Sequence, residues 1–133
     1  MSTHRRPPTI AIDFDGVIHR YSKGWQDGSC YDEPMPGALD FIRDVMGQGN
    51  PVFILSTRDP WQIARWLGDH GFQLPVEIIP CTSARSPFWN TVGILGITQR
   101  KLAAEVYIDD RAYRYSGQPF SAVAADLQQI LQR

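Results

Sequence analysis

The sequence predicts a three-layer α/β domain built on a mainly parallel central sheet. Three observations carry that expectation. Short apolar runs end in polar residues, their apolarity is continuous rather than alternating, and helical patterns separate them. A strand buried on both faces reads as an unbroken apolar run, which is the signature of parallel pairing. Strand and helix in alternation imply crossover connections and a layered domain.

The elements follow in order. Thr9 to Ile12 is the first strand, and it leads into Asp13-Phe14-Asp15-Gly16. Pro36 and Gly37 open a helix with Leu39, Ile42, Val45 and Met46 on one face, ending near Gly47 to Gly49. Pro51 to Leu55 is the second strand, followed by Ser56-Thr57-Arg58-Asp59. Asp59 caps the next helix and Pro60 suits its first position; Ile63, Trp66 and Leu67 form its stripe, and it stops at His70-Gly71. Val76 to Ile79 and Val106 to Ile108 are further strands, the latter running into Asp109-Asp110. β-branched and aromatic residues dominate these runs, which are too short for helices. A last helix is expected from about Pro119 to Leu131, with Phe120, Val123, Leu127, Ile130 and Leu131 facing inward. Two stretches, His19 to Pro36 and Pro80 to Gly96, fit neither pattern; loops of that length in a compact domain are usually functional or mobile.

Composition bounds the function. With 133 residues, 43% hydrophobic and 20% charged, the chain is expected to form a single domain over 1–133, which excludes intrinsic disorder. The net charge of −1 supplies no basic face for nucleic acid. Cys30 and Cys81 match no zinc spacing and make no disulfide framework, as suits a reducing cytoplasm. No apolar run approaches the roughly 20 residues of a membrane helix. Met1 to Pro8 is polar and basic without an apolar core, so it reads as a flexible lead-in rather than a signal peptide.

The chemistry collects at strand ends. In a parallel sheet, ligands bind outside the carboxyl ends of the strands. Asp13 with Asp15, Ser56, and Asp109 with Asp110 all fall at such ends. If those strands are neighbours, four carboxylates share one crevice, and like charges so close need a cation or a proton between them. A cluster that offers only oxygen suits Mg²⁺. A lone D-x-D is often only a turn, and a lone Asp pair less than that. Three clusters at three strand ends are harder to dismiss, because grouped aspartates without a ligand are costly.

D-F-D-G-V at 13–17, the strand ending in Ser56, Lys101 and Y-I-D-D at 107–110 together resemble the four ordered motifs of the haloacid dehalogenase superfamily, over about Thr9 to Tyr115. The resemblance implies a Rossmann-like fold and a short β-hairpin flap, here in the 19–36 region. Neither that region nor Pro80 to Gly96 can hold a core of its own, so the chain reads as a capless member. The resemblance further implies a Mg²⁺-dependent phosphatase. Asp13 would be the nucleophile that forms an aspartyl-phosphate, and Asp15 the general acid and base. Ser56 would hydrogen-bond the phosphoryl group, and Lys101, with Arg100 as the fallback, would neutralise charge. Mg²⁺ would be held by Asp13, the carbonyl of Asp15, Asp109 and Asp110, with Asp110 innermost and Asp109 acting through water or on Lys101. Gly16, Thr57, Arg58, Trp25 and Trp89 are the expected substrate contacts, while His19 and Arg111 lie nearby. An open site suits a nucleotide, a polynucleotide end or another phosphorylated metabolite, unless a homo-oligomer partner covers it. The competing reading is a catalytically weak phosphoryl- or nucleotide-binding protein that acts through a partner.

Overall fold

Burial of apolar strands on both faces organises the chain around one sheet. The computed structural model describes residues 7–82 and 86–132. The lead-in expected at 1–8 therefore lies, through residue 6, outside the described residues. Elements run β1 (Ile10–Asp13), α1 (Ala38–Gly47), β2 (Val52–Leu55), α2 (Pro60–Asp69), β3 (Val76–Ile79), β4 (Leu95–Thr98), β5 (Val106–Ile108) and α3 (Phe120–Leu131). The sheet is parallel throughout, in the order β3-β4-β2-β1-β5. Ile12 of β1 stands opposite Ile54 of β2 and Ile108 of β5, so β1 is flanked by the two strands that carry the other polar clusters.

Alternation along each strand assigns two faces. On one, Ile12, Ile54, Leu95 and Ile97 pack with Leu39, Ile42, Val45 and Met46 of α1 and Ile63, Trp66 and Leu67 of α2. These are the stripes expected from sequence. Asp59 caps α2 through its carboxylate, which accepts from the Trp61 N–H at 3.0 Å.

The other face departs from the expectation of three layers. No helix covers it among the described residues. Ala11, Phe53 and Ile79 instead meet Trp89, from the loop before β4, and Leu102, from the segment joining β4 to β5. That segment crosses the sheet without a helix: the Ala103 N–H donates to Pro87, and the Glu105 N–H donates to Thr9, both at 2.9 Å. The expected inward stripe of α3 is not met either. The helix forms, but it buries none of its residues, and Phe120 and Leu131 are 71% and 76% exposed. An amphipathic pattern shows that a face is apolar without showing what covers it. Among the described residues no helix is long and apolar enough to cross a membrane.

β4 begins in the last residues of the second odd stretch and runs past it, and Gly96 interrupts its apolar run. Gly96 is there for space: a Cβ would sit 2.7 Å from Ile79 Cδ1, 2.9 Å from Trp89 Cε2 and 3.1 Å from Phe53 Cβ. Trp89 thus fills the void over a glycine, at 1% exposure. This corrects the expectation that Trp89 contacts substrate, since its ring belongs to a core. Trp89→Ala should destabilise the fold by about 3–5 kcal/mol, and Gly96→Ala by about 1–3 kcal/mol through overpacking, both read from urea unfolding.

Candidate active site

The sheet order brings the three polar clusters to one edge. β2, β1 and β5 are adjacent, and their carboxyl ends deliver Ser56, Asp13 with Asp15, and Asp109 with Asp110. A cavity of about 370 Å³ opens there, lined by Asp13, Asp15, Tyr21, Trp25, Leu55, Ser56, Thr57, Gln99 and Arg111. Ser56 is nearly buried; its Oγ accepts from the Arg58 N–H at 3.1 Å, while its own N–H donates to the Thr98 carbonyl.

Asp13, Asp109 and Asp110 each offer a carboxylate oxygen, and these oxygens lie within 4.8 Å of one another. Burial pushes the Asp13 carboxyl up to about 6; the Phe14 N–H, donating at 2.9 Å, pulls the other way, and the charges of Asp109, Asp110 and Asp15 add to the rise. Gly16 makes the approach of Asp110 possible. Its φ is +82°, and a Cβ on it would lie 2.3 Å from Asp110 Oδ2. Its backbone serves the turn, its N–H donating to His19 at 2.8 Å. Asp109 caps a tight turn, accepting from the Arg111 N–H at 2.7 Å. Three converging carboxylates, one of them inclined to keep its proton, are a donor set that fits a small hard cation.

The Asp15 carboxylate stands apart from that cluster. Its Oδ1 accepts from Arg58 Nε at 2.7 Å and from His19 Nδ1 at 3.1 Å. His19 is fully buried and stacks on Phe14. Its Nε2 accepts from the Asp32 N–H at 3.0 Å, so the ring proton sits on Nδ1. Burial lowers its pKa, against the bond to Asp15 that raises it. His19 is therefore a neutral fixture under the flap, committed to Asp15 and to the Asp32 N–H. Burial pushes the Cys30 thiol up to about 11, which disfavours the thiolate.

The flap is looser than the hairpin expected. A single antiparallel bridge joins His19 and Pro34 at its base, with the Met35 N–H donating to Ile18 and the Arg20 N–H donating to Glu33. Beyond it, Tyr21 and Gln26 take left-handed φ values of 59° and 55°, alternating with Gly24 and Gly28. Non-glycine residues in that region interrupt strand pairing. The coil nonetheless carries Tyr21 and Trp25 into the cavity wall.

Two expected contacts are displaced. Arg58 is 1% exposed and does not line the cavity. Its guanidinium is committed to Asp15 and to the Ser29 carbonyl. Lys101 is exposed, its Nζ 5.1 Å from the centre of the Tyr107 ring, and it makes no ion pair among the described residues. It does not line the cavity, and its neighbour Leu102 is pinned in the second core. The fallback, Arg100, reaches the Thr82 carbonyl at 3.0 Å. Among the described residues the cation that lines the cavity is Arg111, and Gln99 stands beside Thr57, donating to its carbonyl at 3.2 Å. Sequence reasoning missed Gln99 and Tyr21; position just after an apolar tetrad was a usable signal for Gln99 only once β4 was recognised as a strand.

The fold and edge together define an α/β parallel-sheet domain with an acidic crevice at the carboxyl ends of its strands. No family model matches the chain, and no curated protein matches it in sequence. One similar solved structure is that of a conserved protein coded by a locus from Bacteroides thetaiotaomicron, with 19% identity and a TM-score of 0.48, covering 96% of this chain and 93% of that one.

The raised pKa of Asp13 sets a pH dependence. The folded state holds the proton more tightly than the unfolded one, so this group's stabilisation is present at low pH and is lost as pH rises through about 6. A bound cation competes with the same proton. Thermal unfolding should therefore show a Mg²⁺-dependent rise in Tm that is larger at about pH 7.5 than at about pH 5. Asp13→Asn should raise the metal-free Tm at the higher pH and remove most of the Mg²⁺ response.

Proposed function

We propose that the protein is a Mg²⁺-dependent phosphomonoester hydrolase of the haloacid dehalogenase type, acting through an aspartyl-phosphate. The observation that supports this reading is the convergence of Asp13, Asp15 and Ser56 on one cavity wall, with Asp109 and Asp110 grouped against Asp13. Asp13 attacks phosphorus as a carboxylate, and the ester oxygen leaves. Asp15 delivers a proton to that oxygen and then takes one from the water that hydrolyses the acyl phosphate. Ser56 donates its hydroxyl to a transferring oxygen, and the backbone around Thr57 gives further donors. Arg111, which lines the same cavity, offers a cation to the remaining charge. Asp13, Asp109, Asp110 and the carbonyl of Asp15 would hold Mg²⁺, which supplies charge neutralisation when bound.

The substrate reading is a nucleotide, a polynucleotide end or another phosphorylated metabolite. Trp25 and Tyr21 at the cavity wall support it by offering apolar faces beside the acids. Among the described residues no cap domain stands over the site, so a second copy could roof it, and the cytoplasm is the compartment that supplies such esters. One observation favours the alternative of a weak phosphoryl- or nucleotide-binding protein acting through a partner: Lys101 lies outside the cavity.

Phosphate release decides between them. Wild-type protein with Mg²⁺ should hydrolyse 4-nitrophenyl phosphate, and EDTA should stop it. Asp13→Asn should abolish turnover with the fold intact, and Asp15→Asn should lose about 10²–10⁴-fold. Nucleotide binding without turnover would establish the alternative.

A further inference from the structure

Arg58 is an expensive residue to bury, and the phosphatase reading above leaves it without a task. Its backbone is fixed at the end of β2, where its N–H donates to Ser56 Oγ at 3.1 Å and its carbonyl accepts from Gln99 Nε2 at 3.2 Å. Its side chain runs beneath the flap. Nε donates to Asp15 Oδ1 at 2.7 Å, and Nη1 donates to the Ser29 carbonyl at 2.9 Å. The guanidinium carbon lies 4.5 Å from the centre of the Trp25 ring and 5.6 Å from that of Tyr21. Nη2 is buried and finds no partner among the described residues. One residue thus joins the end of a core strand, through its backbone, to the carboxylate assigned as acid and base and to three points on the flap, through its guanidinium.

The side on which Asp15 is held matters. Both of its bonds fall on Oδ1, with none to Oδ2 among the described residues, and the side chain keeps 20% exposure at the cavity. A carboxylate pinned through one oxygen presents the other in a fixed direction, and proton transfer depends on that direction.

We propose that Arg58 is a positioning residue that ties the flap to Asp15, so that the flap's ordered state sets the aim of the acid and base. It does not bind the phosphoryl group, because 1% exposure keeps substrate from it. The proposal rests on the phosphatase reading for the role of Asp15, but the tether itself is geometric.

Leaving-group dependence separates this role from a merely structural one. An aryl phosphate such as 4-nitrophenyl phosphate expels a stable phenolate and needs little help from an acid; an alkyl phosphate such as glycerol phosphate needs a proton. Arg58→Ala and Arg58→Lys should lower kcat/KM for the alkyl ester by about 10²-fold more than for the aryl ester, the selective loss expected of a misplaced acid. Lysine keeps the charge but cannot span Asp15 and Ser29 together, so it serves where alanine fails to fold. The double variant Asp15→Asn with Arg58→Lys should be no worse than Asp15→Asn alone. Independently of activity, Arg58→Lys should speed tryptic cleavage after Lys23 in the flap by roughly tenfold, as the loss of a charge-assisted bond implies. Equal losses on the two esters, or additive losses in the double variant, would overturn the proposal and make Arg58 a structural or phosphoryl-binding residue. If wild-type protein released phosphate from neither ester, the phosphatase reading would fall, and unchanged cleavage after Lys23 would then overturn the tether as well.

Discussion

Crowding of negative charge at the carboxyl end of β1 is the constraint from which the rest of this molecule follows. β1 lies between β2 and β5, so its terminal aspartates meet those that follow β5. Water cannot fully screen groups seated at a buried strand end, and the chain answers in two ways. Around Asp13 burial raises the proton affinity, the charges of Asp109, Asp110 and Asp15 add to the rise, and the grouped carboxylates suit a cation. Around Asp15, two residues away, the charge is met by a buried guanidinium and a neutral imidazole. Two aspartates in one short motif thereby acquire different environments, the condition under which two carboxyl groups can take different chemical roles.

The flap owes its order to the same arrangement. Its backbone makes few ladder bonds and accepts left-handed geometry at Tyr21 and Gln26. What holds it is side-chain traffic inward: His19 to Asp15, Trp66 Nε1 to the Asp32 carbonyl at 2.8 Å, and Arg58 to Ser29. A coil anchored by polar bonds to the site beneath it responds to changes at that site more readily than a β-hairpin with its own ladder would.

The second face of the sheet shows an economical substitute for a helical layer. Trp89 and Leu102 cover Ala11, Phe53 and Ile79, and Gly96 makes room for the indole. The helix-free crossover that supplies Leu102 also decides where Lys101 goes. Packing on the back of the sheet therefore reaches the site, because a residue next to a buried anchor cannot choose its own position. α3 stands outside this economy, joined to the preceding segment by the hydroxyl of Tyr113 on Asp126 and by the stacking of Tyr115 on Phe120.

Strands β1, β2, β3 and β5, both packed helices with their buried stripes, and the meeting of Asp13, Asp15 and Ser56 at one cavity were legible in the residues alone. Apolar runs, caps and strand-end polarity are local signals, and a parallel sheet converts strand ends into neighbours by rule. β4 was not legible, since Gly96 weakens the local pattern while making room for Trp89, which lies elsewhere in the chain. The fates of Trp89, Arg58, His19 and Lys101 were not legible either. A tryptophan in a loop can pack or meet a ligand, an arginine after a strand and a histidine in a flap have surface roles as their ordinary reading, and the lysine was expected in the site from its motif against the solvated position usual for lysine. Only the tertiary structure buried the first three and left the fourth outside, because burial of a side chain is decided by what the rest of the chain brings over it and not by its own neighbours in sequence.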